Sequence, residues 1–302
     1  MAFSGSPSGS KLTRRQFAKA ALIGSAGLAL YAGEVERHFL DVTRTDVRIP
    51  GLHSAFDGMR IAQISDIHID AFTEPFFLRH AVRRINQLKP DAVFLTGDFV
   101  SGVKGLHRFR AVGEFSRGSA YQCADILRDL ECPLRYAVLG NHDHYVGASI
   151  VMEALKDNGI TVLKNASLPI ERGGARFWLA GLDDPLEGDP DPDLAIPASI
   201  RNVPHEPVIL MCHAPDYADD LLTYPGGRAV SFMLSGHTHG GQVRMPFVGA
   251  LTLPLLGKKY VEGWFRLQNL QLYVNRGLGA VGVPFRFDCP PELTVFTLRA
   301  EA

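Results

Sequence analysis

The sequence predicts an α/β fold, and three observations predict it. Short apolar runs alternate with amphipathic helical segments through the first half of the chain, the pattern of strand–helix units. Strand-like runs then predominate to the C-terminus. Five polar clusters each fall just after an apolar run, and in open α/β sheets ligands bind at the carboxyl ends of strands.

Each element follows from its local pattern. His38 to Pro50 alternates (Phe39, Val42, Val47, Ile49) like a half-buried strand, ended by Pro50-Gly51. Met59 to Ser65 is a second strand, running into Asp66-Ile67-His68. Thr73-Glu74-Pro75 opens a helix with Phe77, Ala81, Ile85 and Leu88 on one face, and Lys89-Pro90 closes it. Ala92 to Thr96 is a short strand leading to Gly97-Asp98. A helix is predicted over Tyr121 to Leu130, then a strand over Tyr136 to Leu139 that runs into Gly140-Asn141-His142-Asp143. Ala148 to Lys156 is helical, with Asn158-Gly159 as its stop. Leu168 to Gly181 reads as a hairpin turning at Gly173-Gly174. Pro207 to Cys212 is a strand ending at His213, and Asp216 to Leu222 a short helix. Ala229 to Leu234 is a buried strand running into Ser235-Gly236-His237-Thr238-His239-Gly240-Gly241-Gln242. Thr294 to Leu298 is the last strand.

At 302 residues, 46% hydrophobic and 21% charged, the chain has the make-up of an ordinary globular protein. Its net charge of -1 gives no electrostatic case for nucleic acid, which needs Lys/Arg density along a phosphate backbone. Four cysteines (Cys123, Cys132, Cys212, Cys289) show no CxxC spacing. Cys212 reads as a core thiol, and Cys123 with Cys132 is the one pair that an oxidising compartment would join.

The N-terminus is different in kind. Residues 3–10 are rich in Ser, Gly and Pro and are expected to be disordered. Lys11 to Lys19, with Arg14-Arg15 paired, precedes the uncharged stretch Ala20 to Ala32. A positive region before an apolar one is a targeting signal, and paired arginines are read by the twin-arginine export machinery. The apolar stretch falls short of the roughly 20 residues that a membrane-spanning helix needs, and no clean Ala-x-Ala site follows. Residues 1–33 are therefore expected to be a tail plus a signal or membrane anchor, with an amphipathic domain helix as the alternative. Residues 34–302 are expected to form one catalytic domain.

The polar clusters, in chain order, are Asp66/His68, Asp98, Asn141/His142, His213 and His237/His239. Residues at i and i+2 on extended chain point to one side, so Asp66 with His68, and His237 with His239, are expected to aim together. Neutral imidazole is the commonest nitrogen ligand for metals. Singly, Asp98 reads as a cap, Asn141 as a turn residue and His213 as a core histidine. Recurrence of oxygen and nitrogen donors at five strand ends points instead to metal binding.

These motifs resemble those of the calcineurin-like metallophosphoesterases. The family's ordered signature stands here as Asp66-Ile67-His68, Gly97-Asp98, Gly140-Asn141-His142-Asp143, His213 and Gly236-His237-Thr238-His239, and the likeness runs from about Phe56 to the C-terminus. The resemblance implies a four-layer αββα sandwich, two mixed β-sheets flanked by helices. It also implies two divalent ions (Mn, Fe, Zn or Ni): Asp66, His68 and His239 would hold one, Asn141, His213 and His237 the other, and Asp98 would bridge them. Two metals roughly 3.5–4 Å apart clamp an in-line phosphoryl displacement, with water between them as the nucleophile. His142 would face the substrate and protonate the leaving oxygen. Protein phosphatases of the family carry Asp-Arg-Gly after Gly-Asp, whereas here Phe99-Val100-Ser101-Gly102 follows. That weakens a protein-phosphatase reading and leaves the partner of His142 to be found elsewhere.

A closer likeness is to the bacterial branch with an N-terminal export or membrane segment, which includes phosphodiesterases acting on UDP-2,3-diacylglucosamine. It is carried by Phe56-Asp57-Gly58, Gly240-Gly241-Gln242, Asn275-Arg276-Gly277-Leu278-Gly279 and Pro290-Pro291-Glu292. This implies a phosphodiesterase or pyrophosphatase, with a lipid-linked substrate and a membrane-associated or exported location, on the periplasmic or the cytoplasmic face. Arg276 is a candidate phosphate ligand, with a surface arginine in a glycine-rich turn as the alternative. Val243 to Trp264 is either an apolar lip for an acyl chain or ordinary core. The rival readings are a nuclease, a phosphomonoesterase, and a non-catalytic, membrane-attached metal-binding module.

Overall fold

The computed structural model describes residues 13–70, 73–102, 110–201 and 203–301. The Ser/Gly/Pro-rich stretch 3–10 lies outside them. Two mixed sheets of six strands each stack face to face. The first runs β1 (Asp41–Ile49), β14 (Glu292–Ala300), β2 (Arg60–Ile64), β3 (Ala92–Leu95), β4 (Leu134–Ala137) and β5 (Thr161–Val162). The second runs β12 (Gly263–Leu267), β13 (Leu270–Val274), β9 (Val230–Ser235), β8 (Val208–Met211), β7 (Ala175–Gly181) and β6 (Ala166–Arg172). A small ribbon, β10 (Arg244–Met245) with β11 (Gly249–Ala250), stands apart.

Alternation along the central strands explains the layering. On β3, Ala92 and Phe94 face the second sheet, while Val93 and Leu95 face the helices α2 (Pro75–Leu88), α3 (Arg110–Leu127) and α5 (Ala148–Asp157). On β8, Ile209 and Met211 enter the space between the sheets, and Val208 and Leu210 face the short helices on the far side. Strands apolar on both faces suit parallel pairing under helices, and β2–β3–β4–β5 and β7–β8–β9–β13 are parallel runs. Phe56, Phe94, Phe177, Phe232 and Phe296 fill the middle layer. This is the four-layer sandwich that the resemblance implied.

Most element limits match expectation within two residues. The hairpin turns at Gly173 and Gly174, both at positive φ, as a tight two-residue turn requires. Helix α3 differs, because it begins at Arg110, well ahead of the periodic stretch that signalled it. The expected helix after His213 is a 3-10 turn over Pro215–Tyr217 and a single α-turn over Ala218–Leu221. All four cysteines are free and buried, so the Cys123–Cys132 pairing does not form.

Helix α1 (Arg14–Leu30) is capped by Thr13, which accepts from the Gln16 N–H while Gln16 bonds back to Thr13. None of its residues is buried. The chain beyond it is fixed firmly: Ala32 and Glu36 are buried, and Arg37 and His38 bind Glu74 at the start of α2. Among the described residues, no helix is long and apolar enough to cross a membrane.

Candidate active site

All the clustered polar residues meet at one edge of the sandwich, where β2, β3, β8 and β9 end beside α4 (Asn141–Val146). Asp66, His68 and His239 bring ligand atoms within 4.8 Å of one another, as do Asp98, His213 and His237, and also His68, Asp98 and His142. Asp98 lies between the groups, with Oδ2 at 3.4 Å from His68 Nε2 and 3.2 Å from His213 Nε2. Asp66 Oδ1 is 3.5 Å from His239 Nε2. Asn141 lines the same cavity, and its Oδ1 is buried without a hydrogen-bond partner.

The backbone reaches this arrangement differently from the extended chain first expected. Asp66, His68, Asp98, His237 and His239 all adopt left-handed φ, between 49° and 72°. Asp and His tolerate that region better than most residues, yet each such position costs on the order of 1 kcal/mol. Sharp turns send His237 and His239 to different groups. His239 joins Asp66 and His68, and His237 joins Asp98 and His213. Hydrogen bonds hold the strained turns in place: Asp66 N–H to Gly97 O at 2.9 Å, His68 N–H to Asp98 O at 3.0 Å, and His237 N–H to the Asp66 carboxylate at 2.9 Å.

Distal contacts decide what each imidazole offers the cluster. His213 Nδ1 donates to Thr96 O at 2.7 Å, and His237 Nε2 donates to Leu255 O at 2.7 Å. Ser101 Oγ lies 3.3 Å from His68 Nδ1. Bonded outward to a carbonyl in this way, His213 and His237 in their neutral forms would turn a lone pair inward, the usual support for metal-ligating histidine. His142 is set the other way. The Gly102 N–H donates to its Nδ1 at 3.1 Å, so in the neutral ring the proton sits on Nε2. Gly102 is required there, because a β-carbon would meet His142 O and Tyr145 Cβ at 2.9 Å. The partner of His142 is thus a backbone amide in the same uncharged run that replaced Asp-Arg-Gly.

Electrostatics favour cation capture. Burial, joined by its histidine neighbours, holds His68 and His239 well below the ordinary histidine value and His237 at about 4, so all three are neutral ligands. Burial alone would lower His213 as well, but Asp98 and Asp66 outweigh it and hold the ring well above the ordinary value. Asp98 is the reverse case: burial opposes its charge, and His213, His142 and His68 keep it ionised. Burial pushes Asp66 up to about 6 despite His213, with Asp98 adding to the rise. Two carboxylates and four imidazoles converging at this depth, three of the rings held neutral, fit two divalent ions, with Asp98 placed to touch both.

Asp143 and Arg286 are parts of the site that sequence reasoning did not single out. Asp143 is fully buried at the third position of α4 and accepts backbone N–H bonds from Asp98, Phe99 and Gly140, each at 2.9 Å. It ties the loop bearing Asp98 to the helix bearing Asn141 and His142. A carboxylate three residues after a helix-capping glycine is the signal that could have revealed it. Arg286 is fully buried, bonds the carbonyls of Gly279, Cys289 and Arg276, and lies 3.4 Å from His239 Nδ1. Its place in the chain gave no signal. Arg276, a candidate for phosphate, is committed elsewhere. Its guanidinium binds Asp41 at 2.6 Å and buried Glu292 at 3.1 Å, and it does not line the cavity.

A buried array of carboxylates and imidazoles, beside a histidine with a proton free on Nε2, suits a phosphoester hydrolase. The comparisons give its kind: a family model for the calcineurin-like phosphoesterases matches residues 59–241, and the chain belongs to that family. Metallophosphoesterase YkuE of Bacillus subtilis is 33% identical over 300 residues, covering 96% of this chain and 99% of the other. Phosphodiesterase YaeI of Escherichia coli is 33% identical over 243 residues, covering 79% and 82%. UDP-2,3-diacylglucosamine pyrophosphatase LpxG of Chlamydia muridarum is 28% identical over 322 aligned positions, covering 88% and 91%.

Two predictions follow from the site's hydrogen bonds and charges. Asp143→Ala leaves three buried amides without an acceptor, so chemical denaturation should show a loss of about 2–4 kcal/mol, with weaker metal retention. Because burial raises Asp66 to about 6, protons compete with metal for it, and affinity falls as pH drops through that value. Metal content after dialysis should therefore decline between about pH 7 and pH 5 and return on neutralisation; unchanged content at the lower pH would count against the assignment.

Proposed function

We propose that the protein is a dinuclear-metal phosphodiesterase or pyrophosphatase acting on an amphiphilic, lipid-linked phosphoester of the cell envelope. The observation that carries this is one cavity of about 710 Å³ lined at its base by Asp98, Asn141, His142, His237 and His239 and above them mainly by apolar side chains. Two ions held by Asp66, His68, His239 and by Asn141, His213, His237 would supply Lewis acidity and an activated water. His142 is placed to give its Nε2 proton to the leaving oxygen, since Gly102 occupies Nδ1. Asp143 keeps His142 and Asp98 in register through α4. UDP-2,3-diacylglucosamine, the substrate in the name of LpxG, is a diphosphate with two acyl chains, and it represents the substrate class that the reading favours.

The reading extends to location. Leu22, Ile23 and Leu30 of α1, with Phe247, Val248 and Leu255 nearby in chemistry, are exposed apolar side chains. Arg14, Arg15 and Lys19 add positive charge to that end of the chain. A basic end followed by an uncharged apolar stretch suits attraction to an anionic membrane surface, or recognition by the twin-arginine machinery. An exported or membrane-attached enzyme is the proposal.

The test is hydrolysis of bis-p-nitrophenyl phosphate against p-nitrophenyl phosphate by the Mn-loaded full chain, with His142→Ala beside it. Diester turnover preferred over monoester, falling by about 10²–10⁴ in the variant at unchanged metal content, is the expected result. Equal turnover by the variant would remove His142 from the chemistry.

A further inference from the structure

Helix α1 stands over the active-site cavity in a peculiar way. None of its residues is buried, yet Ser25, Leu28 and Ala29 line the cavity, as does Ala32, which is buried in the turn just past its end. Those positions are spaced i, i+3, i+4, i+7, one stripe of a helix. The chain is moored just beyond the helix's C-terminal end: the Arg286 N–H donates to Ala32 O at 3.0 Å, a β-carbon at Gly33 would touch the Phe285 ring, and the Cys289 N–H donates to Glu36 Oε1 at 2.7 Å. The stripe shares the cavity with Val243, Met245 and Leu251 of one segment and Val281, Phe285 and Phe287 of another. Apart from Asp98 and the histidines at the base, no Lys, Arg, Asp or Glu among the described residues lines the space.

We propose that α1 is the outer wall of an alkyl-chain cleft opening directly onto the histidine–carboxylate cluster. The substrate's chain lies between the Ser25/Leu28/Ala29 stripe and the 243–254 and 281–287 segments, with its phosphorus at the base beside His142. This rests on the proposed phosphoester hydrolysis and adds to it a role for the N-terminal helix in binding substrate. Three features select an alkyl chain as the occupant. The cleft is continuous with the reacting site, its walls offer no charge to pair with a polar chain such as a nucleic acid, and its volume of about 710 Å³ is of the size that encloses a small amphiphile. An apolar stripe standing off an apolar wall is covered on both sides by one inserted chain.

The experiment uses the Mn-loaded full chain and a series of alkyl p-nitrophenyl phosphodiesters, from methyl to dodecyl, kept below aggregation. KM should fall by up to about fourfold for each methylene that enters the cleft, then level off. Leu28→Glu should flatten that gradient, while Ile23→Glu, on the opposite face of α1, should keep it. A flat series in the unaltered protein, or an equal gradient in Leu28→Glu, overturns the proposal. So does a chain that sediments as a dimer with no gradient, since a second copy would then cover the stripe. If the methyl ester itself is not hydrolysed, the catalytic reading fails on its own. Calorimetric binding of dodecyl phosphate against butyl phosphate then decides the cleft: at least about tenfold tighter binding of the longer chain supports it, and equal binding overturns it.

Discussion

Asp98 is the group on which the rest of the site depends. Its carboxylate is almost wholly buried at the end of β3, facing His68 and His213, and its other oxygen accepts the His142 N–H at 2.9 Å. A charge at that depth persists only if cations and donors surround it. The residue sits at left-handed φ and is held by its own N–H on Asp143. Asp143 in turn binds Gly140, so the loops after β3 and β4 form one unit around a single carboxylate. Gly140 is part of the same constraint, because a β-carbon there would press on His213 Nε2 at 2.7 Å. Fold and chemistry meet here: the strained turns that would weaken a purely structural protein are what aim five of the clustered side chains into the site.

Much of the fold was legible because its central strands are short, apolar on both faces and bounded by Gly, Asp and Asn. Ala92–Leu95 and Val208–Met211 could hardly be anything else in an alternating chain. The start of α3 was not legible, since Arg110 to Ala120 carries two glycines and no clear apolar stripe. In the site, residue types and order revealed the donors, but the path of the backbone stayed hidden. Extended geometry would send His237 and His239 the same way. His237 sits at positive φ where its N–H meets the Asp66 carboxylate, a contact from the loop after β2, far away in sequence. Arg276 and Arg286 show the same limit. Arg276 sits in a motif-like segment and Arg286 in none, and only the fold reveals that one neutralises Glu292 while the other rests against His239.

The cavity joins the catalytic base to the N-terminus. Segments that sequence reading divided between a targeting stretch and a catalytic domain share one space, with Leu28 and His142 on its lining. The mooring of Ala32 and Glu36 to the 286–289 loop places the N-terminal connector next to the residues that back His239. A molecule entering this space meets apolar walls before it meets the charged cluster at the base.

Asp98, set between the two ligand groups, would be the shared ligand of two ions. Metal counting on dialysed wild-type and Asp98→Asn protein tests it. Two ions per chain in the wild type and no more than about one in the variant, with phosphodiester turnover lost, is the predicted result. Two tightly held ions and full activity in Asp98→Asn would contradict the account.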